Sequence, residues 1–76
     1  MNESTFNKIV DIISQHFMVP REAISAETTA LDIDGWDSVS HTMLILEIEE
    51  QLGVSIPPEK IGKLKNVGDL VDAVDL

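Results

Sequence analysis

The chain has 76 residues, of which fourteen are acidic and five are Lys or Arg, and its formal net charge is -9 at pH 7. A chain of this length forms one small domain that buries only about 60–65 per cent of its unfolded surface, which leaves little room for a deep catalytic cleft. The acidic balance argues against nucleic acid and anionic membrane surfaces as partners and favours basic proteins.

The cysteine count and the hydropathy further limit the class of protein to which the chain can belong. The chain contains no cysteine, so it has no disulfide framework and no thiol of its own. No apolar run reaches the roughly 18 residues that a membrane span needs, and the start of the chain lacks the basic and apolar regions of a signal peptide. We therefore expect a cytoplasmic monomer without membrane insertion, formed by one domain over residues 1–76.

The first predicted element is a helix from about Glu3 to Phe17, with Asn2 or Ser4 available as its cap. Apolar residues recur there at helical spacing and form one face, which predicts a core-facing stripe. Its members are Phe6, Ile9, Val10, Ile13 and Phe17.

A long connection is predicted from Met18 to Trp36, with Ile24, Leu31 and Ile33 anchoring it to the helices. Its segment Asp32-Ile33-Asp34-Gly35 invites comparison with a calcium-binding loop. With Gly35 at the sixth loop position, Ala30 and His41 occupy positions that require acidic ligands, so the pattern fails. We expect a polar turn in which Gly35 supplies a left-handed or strained backbone conformation, and no metal site.

The predicted second helix, Asp37 to Leu52, carries more apolar residues than one buried face needs. At about 100° per residue, one face is typical of a bundle core. Its members are His41, Leu44, Ile45, Ile48 and Leu52. Val39, Met43 and Leu46 fall on the opposite side, in line with Glu50, and suggest an exposed docking surface for a partner with an apolar floor and a basic rim. The alternative is that the long connection covers these three side chains.

Two shorter helices complete the predicted fold. Pro58 suits the start of a short helix to about Leu64, with Ile61 and Leu64 as core contacts, although Gly62 makes this helix marginal. Asn66 resembles the cap of a final helix, and Asp69 lies three residues on. The final helix has an apolar stripe of Val67, Leu70, Val71 and Val74. The predicted fold class is all-α, a small antiparallel bundle of three longer helices and one short helix.

Ser38 is the candidate functional residue. Asp37 is a good N-cap type, so Ser38 falls at the first helical position with its hydroxyl exposed, where free backbone N–H groups would hold a phosphate attached to it. Asp37, Ser38 and His41 also match the residue types of a hydrolytic triad. Because His41 projects towards the core and no oxyanion hole is evident, we expect no catalytic residues.

The segment Gly35-Trp36-Asp37-Ser38-Val39 resembles the G-x-D-S-L signature of acyl carrier proteins, and Leu44 to Pro57 resembles that family's second helix and its exit. The resemblance covers essentially the whole chain. It implies that a phosphopantetheinyl transferase esterifies Ser38 with 4′-phosphopantetheine from coenzyme A, with Asp37 and Val39 flanking the site. It further implies that acyl groups ride as thioesters on this arm to acyl-loading and acyl-transferring enzymes. The expected docking residues are Val39, Met43, Leu46, Glu47 and Glu50, with Glu49 beside them.

Departures from the family pattern bear on the pathway. Val39 replaces the usual Leu, the run Ser40-His41-Thr42-Met43 is less acidic than in carriers of primary fatty acid synthesis, and Lys60, Lys63 and Lys65 make the third helical segment basic. The start Gly35-Trp36-Asp37-Ser38 and the run from Leu44 to Ile48 resemble discrete carriers of specialised lipid, polysaccharide-modifying, polyketide or aminoacyl pathways. The alternatives are an aminoacyl or peptidyl carrier, or an unmodified acidic interaction module.

Overall fold

The computed structural model describes residues 2–74, which form only helices and their connections. Helix α1 spans Glu3–Phe17, α2 spans Ser38–Leu52, α3 spans Pro58–Ile61 and α4 spans Val67–Val74. Two 3₁₀ turns, Arg21–Ala23 and Ala30–Asp32, lie within the connection between α1 and α2. The predicted bundle of three longer helices and one short helix is confirmed.

Helix α1 begins and ends at the predicted residues. The Asn2 side chain accepts the backbone N–H of Ser4 at 2.9 Å, and Met18 closes the helix in a left-handed conformation at φ +58°. The buried face of α1 is wider than the predicted stripe because α1 contacts both α2 and α4. Its buried residues are Ile9, Val10, Ile12 and Ile13, with Phe6 and Phe17 half-buried beside them.

Helix α2 buries Leu44, Ile45 and Ile48 against the other helices, and His41 and Leu52 are half-buried on the same side. The core face predicted for this helix is therefore confirmed. Helix α4 contributes Val67, Leu70 and Val71 to the same apolar core, again as predicted.

The long connection is anchored at two of its three predicted positions. Ile24 and Ile33 are buried, but the prediction for Leu31 is wrong, since its side chain is 99% exposed. The 3₁₀ turn Ala30–Asp32 explains the difference, because it packs the smaller Ala30 against the core and leaves Leu31 outside. Gly35 has φ +88°, the left-handed conformation expected at this turn.

The connection also caps the last helix. The backbone N–H of Val67 donates to the Thr28 carbonyl at 2.9 Å, and that of Gly68 donates to the Ala26 carbonyl at 2.8 Å. The Asn66 side chain accepts the Asp69 N–H at 2.8 Å, which confirms Asn66 as the predicted cap. The start of α4 therefore holds the middle of the long connection in place.

Helix α3 is shorter than predicted. It ends at Ile61 and not near Leu64, and Gly62 follows it as the C-terminal cap residue. Glycine is costly within a helix and a helix of one turn gains little from cooperativity, so the helix stops there. Ile61 and Leu64 still pack against the core as half-buried residues.

The packing of α2 yields a stability prediction. Ile48 is 0% exposed, so Ile48→Ala should lower the free energy of unfolding by about 2–5 kcal/mol through lost burial and a residual cavity. Leu46→Ala, on the exposed side of the same helix, should change it by no more than about 0.5 kcal/mol. Urea denaturation of both variants measures the two effects, and equal losses would show that the buried face is misassigned.

Candidate functional site

Ser38 is the first residue of α2, and its position is set by reciprocal capping. The Asp37 carboxylate accepts the backbone N–H groups of Val39 at 3.0 Å and Ser40 at 2.9 Å. In return the Ser40 hydroxyl accepts the Asp37 N–H at 2.8 Å and donates to the Gly35 carbonyl at 2.6 Å. Asp37 is therefore the N-cap, as predicted, and the turn before Ser38 is bonded to the first turn after it.

The Ser38 side chain is exposed, and its hydroxyl makes no hydrogen bond to the part of the chain that the structure describes. An arm attached to this oxygen would meet no packed side chain. The site therefore fits a covalently attached phosphopantetheine group.

The expectation that free backbone N–H groups would hold the phosphate is wrong for those of the three residues after Ser38. Those of Val39 and Ser40 are bonded to the Asp37 carboxylate, and that of His41 donates to the Asp37 carbonyl at 2.8 Å. The cap residue satisfies the same groups that an anion would need. The residues around Ser38 therefore present an attached group without binding its phosphate through these N–H groups.

The Asp37 carboxyl group is ionised at neutral pH and places a negative charge beside Ser38. Hydrogen bonds from the backbone N–H of Ser40, from the Ser40 side chain and from the backbone N–H of Val39 hold the pKa of Asp37 below its ordinary value. The ionised carboxylate is the better acceptor for these bonds.

Trp36 is a site residue to which sequence reasoning assigned no role. It is 9% exposed, stacks on Phe17 with ring centroids 5.2 Å apart, and donates its Nε1–H to His41 Nδ1 at 3.0 Å. The available signal was a lone tryptophan five residues before a histidine on a core-facing position. Trp36, which precedes the N-cap residue Asp37, thus joins the end of α1 to the first turns of α2.

The triad residue types do not assemble into a triad. His41 Nδ1 accepts the Trp36 indole N–H, and the Asp37 carboxylate accepts backbone N–H groups. Each potential partner of Ser38 is engaged elsewhere, so this geometry offers no activated nucleophile.

The second predicted face of α2 lies open to solvent. Val39, Met43 and Leu46 are 71%, 58% and 59% exposed, so the long connection does not cover them. We call these three residues the apolar stripe. Met43 and Leu46 line a shallow groove of about 250 Å³ together with His16, Glu47 and Glu50.

One acidic neighbour of the apolar stripe has a different role. The Glu49 carboxylate accepts the Ile56 backbone N–H at 2.7 Å. It therefore fixes the chain leaving α2, while Glu47 and Glu50 remain beside the groove.

Residues 2–74 contain no group of three or more His, Cys, Asp or Glu side chains placed to hold a metal ion. The Asp32 carboxylate accepts the Thr29 backbone N–H at 2.9 Å. The helices within this range are also too short or too polar to cross a membrane.

Comparisons with known proteins agree on one family. The family model described as "Phosphopantetheine attachment site" matches residues 7–74. The acyl carrier protein of Lactobacillus acidophilus is 37% identical over 73 residues, which cover 95% of this chain and 90% of that protein. The acyl carrier protein of Clostridium perfringens is 36% identical over 69 residues, which cover 91% of each.

A solved structure extends the agreement to the fold. The solution NMR structure of the holo acyl carrier protein from Geobacter metallireducens superposes with a TM-score of 0.83 at 41% identity, covering 93% of this chain and 82% of that one. Family model, relatives and fold all point the same way, and the resemblance noted in the sequence is confirmed. The chain belongs to the acyl carrier protein family, whose members carry acyl groups on 4′-phosphopantetheine and catalyse no reaction themselves.

Proposed function

We propose that Ser38 is the attachment residue for 4′-phosphopantetheine and that the chain, as a single domain and a cytoplasmic monomer, delivers acyl thioesters to the enzymes of a specialised pathway. The observation that carries this proposal is the exposed Ser38 hydroxyl at the start of α2, bordered by Asp37 and Val39. The attached arm supplies the thiol that this cysteine-free chain lacks.

Residues of this chain hold Ser38 in a fixed, exposed position. Asp37 and Ser40 hold the first turn of α2 in one geometry, so the Ser38 oxygen faces solvent at a fixed position relative to the helix. A transferase can then reach the oxygen without local unfolding. The hydroxyl oxygen attacks the pantetheine-bearing phosphorus of the coenzyme A diphosphate and forms a phosphodiester. The bond from that phosphorus to the bridging oxygen breaks, adenosine 3′,5′-bisphosphate leaves, and the hydroxyl proton is released to solvent.

Partner recognition is assigned to the apolar stripe with Glu47 and Glu50. The family implies a phosphopantetheinyl transferase and acyl-handling enzymes as partners. Exposed apolar side chains beside acidic ones suit a shallow partner groove with an apolar floor and a basic rim. Such a contact associates quickly and releases readily, as a carrier visiting several enzymes requires.

Attachment at Ser38 is tested by mass spectrometry of the intact protein. Incubation of the purified apo chain with coenzyme A and a broad-specificity phosphopantetheinyl transferase should add one phosphopantetheinyl group, and Ser38→Ala should abolish the addition. Ser55→Ala, which changes an exposed serine outside the site, serves as the matched control. Modification that persists in Ser38→Ala would place the arm on another residue. An unmodified wild-type chain would favour an unmodified interaction module.

The docking surface is tested by charge insertion. Met43→Glu combined with Leu46→Glu should lower kcat/KM for modification by the transferase at least about tenfold, mainly through KM, because apolar contact is lost. Met18→Glu combined with Leu31→Glu places the same two charges on exposed apolar residues outside the apolar stripe and should have a much smaller effect. Circular dichroism confirms the fold of each variant. Equal losses in the stripe variant and in this control variant would attribute the effect to net charge.

The cap predicts a pH dependence. Because the pKa of Asp37 is lowered on folding, its ionised form favours the folded state, and this contribution is lost as pH falls through the lowered pKa. Asn can still cap a helix but carries no charge. The wild type should therefore be more stable than Asp37→Asn at pH 7, and the difference should shrink between about pH 5 and pH 2. Urea denaturation across this range measures it, and a constant difference would contradict an ionised cap.

A further inference from the structure

Three of the five basic residues of this chain lie in one short segment that the proposed function does not use. Lys60, Lys63 and Lys65 are all exposed, and from Lys60 to Gly68 the chain has no acidic residue. We call these three lysines the lysine face. Lysines spread among the acidic residues would relieve the self-repulsion of a chain with net charge -9 better than lysines grouped in one segment. The grouping therefore gives this part of the surface a charge opposite to that of the rest.

The ammonium groups of the lysine face are free of the chain's own carboxylates. The only ion pair among residues 2–74 joins Arg21 to Asp11, so within this range none of the three lysines is paired. A new anion can bind an unpaired lysine without first breaking an existing pair. The positive charge of the lysine face is therefore available to a partner.

The backbone beneath the lysine face is fixed in place. Ile61 and Leu64 lie between the lysines in the sequence and pack against the core. The backbone N–H of Lys65 donates to the Asp69 carboxylate at 3.0 Å. Because the segment is already ordered, binding of a partner would restrict only the lysine side chains, which keeps the entropic cost of docking low.

A shallow groove of about 240 Å³ lies beside two of the lysines and limits the kind of anion that fits. It is lined by Lys60, Lys63, Leu64, Asp69, Asp72 and Ala73. Lysines and carboxylates thus share this groove. A long polyanion such as nucleic acid, or the surface of an anionic bilayer, would be repelled by the two carboxylates and by the acidic remainder of the chain. A compact acidic patch on a protein can contact the lysines alone.

The lysine face begins near the end of the bundle that carries Ser38. Lys65 lines a small cavity together with Trp36 and His41, which lie two residues before and three residues after Ser38. These two residues are on the core-facing side of α2, whereas the apolar stripe is on its exposed side. The lysine face and the apolar stripe therefore approach Ser38 from different sides of α2.

We propose that the lysine face is a second docking surface, which binds a compact acidic patch on a protein partner. The apolar stripe with Glu47 and Glu50 suits a basic rim, so a partner that contacts both surfaces carries opposite charges on the two sides of its contact. Such a pattern fixes the orientation of the chain on its partner, because the lysine face repels a uniformly basic surface. The inference goes beyond the proposed function, since the lysine face needs no arm on Ser38.

The test is an NMR titration of the isotope-labelled apo chain with hexaglutamate as a defined acidic probe. Hexaglutamate should shift the backbone amide resonances of residues 60–65, with a Kd of about 1–10 mM at low salt. Physiological ionic strength should weaken this binding at least about threefold. Hexaglutamine, which is matched in length and uncharged, should produce no shift. Hexalysine should instead shift resonances around Glu47 and Glu50.

Two triple variants with the same change in net charge identify the residues responsible. Replacing the whole lysine face by glutamine should abolish the response to hexaglutamate, and replacing it by arginine should preserve the response. The control is Asn7→Glu combined with Gln15→Glu and Met18→Glu, which adds three negative charges at exposed positions outside the lysine face and should keep most of the response. Circular dichroism confirms the fold of each variant. The glutamine variant consists of Lys60→Gln, Lys63→Gln and Lys65→Gln.

The possible contradicting results are distinct from one another. Equal shifts with hexaglutamate and hexaglutamine, or shifts that persist in the glutamine variant, would overturn the inference. Equal losses in the glutamine variant and in the control variant would attribute binding to net charge and overturn it as well. Tighter binding of a short DNA duplex or of phosphatidylglycerol vesicles, compared at equal concentration of negative charge, would assign the lysine face to nucleic acid or to a membrane. None of these results bears on the proposed function, because attachment at Ser38 is measured separately by mass spectrometry.

Discussion

The arrangement of the candidate site depends on how Trp36 is held. Its ring stacks on Phe17 at the end of α1, and its indole N–H bonds to His41 in the second turn of α2. One buried side chain thus connects the first helix, the long connection and the helix that carries Ser38. Because aromatic burial and a directional hydrogen bond act at the same point, the start of α2 has one position relative to the core.

The cap of α2 is a local device that depends on this placement. Asp37 and Ser40 satisfy each other's backbone groups within one short segment, since they lie three residues apart. The Trp36 contacts then orient the capped helix so that Ser38 faces outward. Presentation of the hydroxyl is therefore shared between a local hydrogen-bond motif and a tertiary contact.

Helix α2 serves two purposes on opposite faces. Leu44, Ile45 and Ile48 stabilise the bundle, while the apolar stripe gains nothing from folding and remains in water. An exposed apolar face costs solubility, and the net charge of -9 offsets that cost by keeping chains apart. The same charge disfavours self-association and complements the basic partner surfaces of the proposed function.

The sequence by itself determined what depends on spacing along one element. It predicted the bounds of α1, the cap at Asp37, the two faces of α2 and the turn at Gly35, because periodicity and capping involve residues a few positions apart. Only the tertiary structure decided the exposure of Leu31, the burial of Ile12 and the pairing of Trp36 with His41. It also showed that the Asp37 carboxylate occupies N–H groups expected to be free. These outcomes depend on which helices pack together and which polar partners reach one another across the bundle, and spacing within one segment carries no information about either.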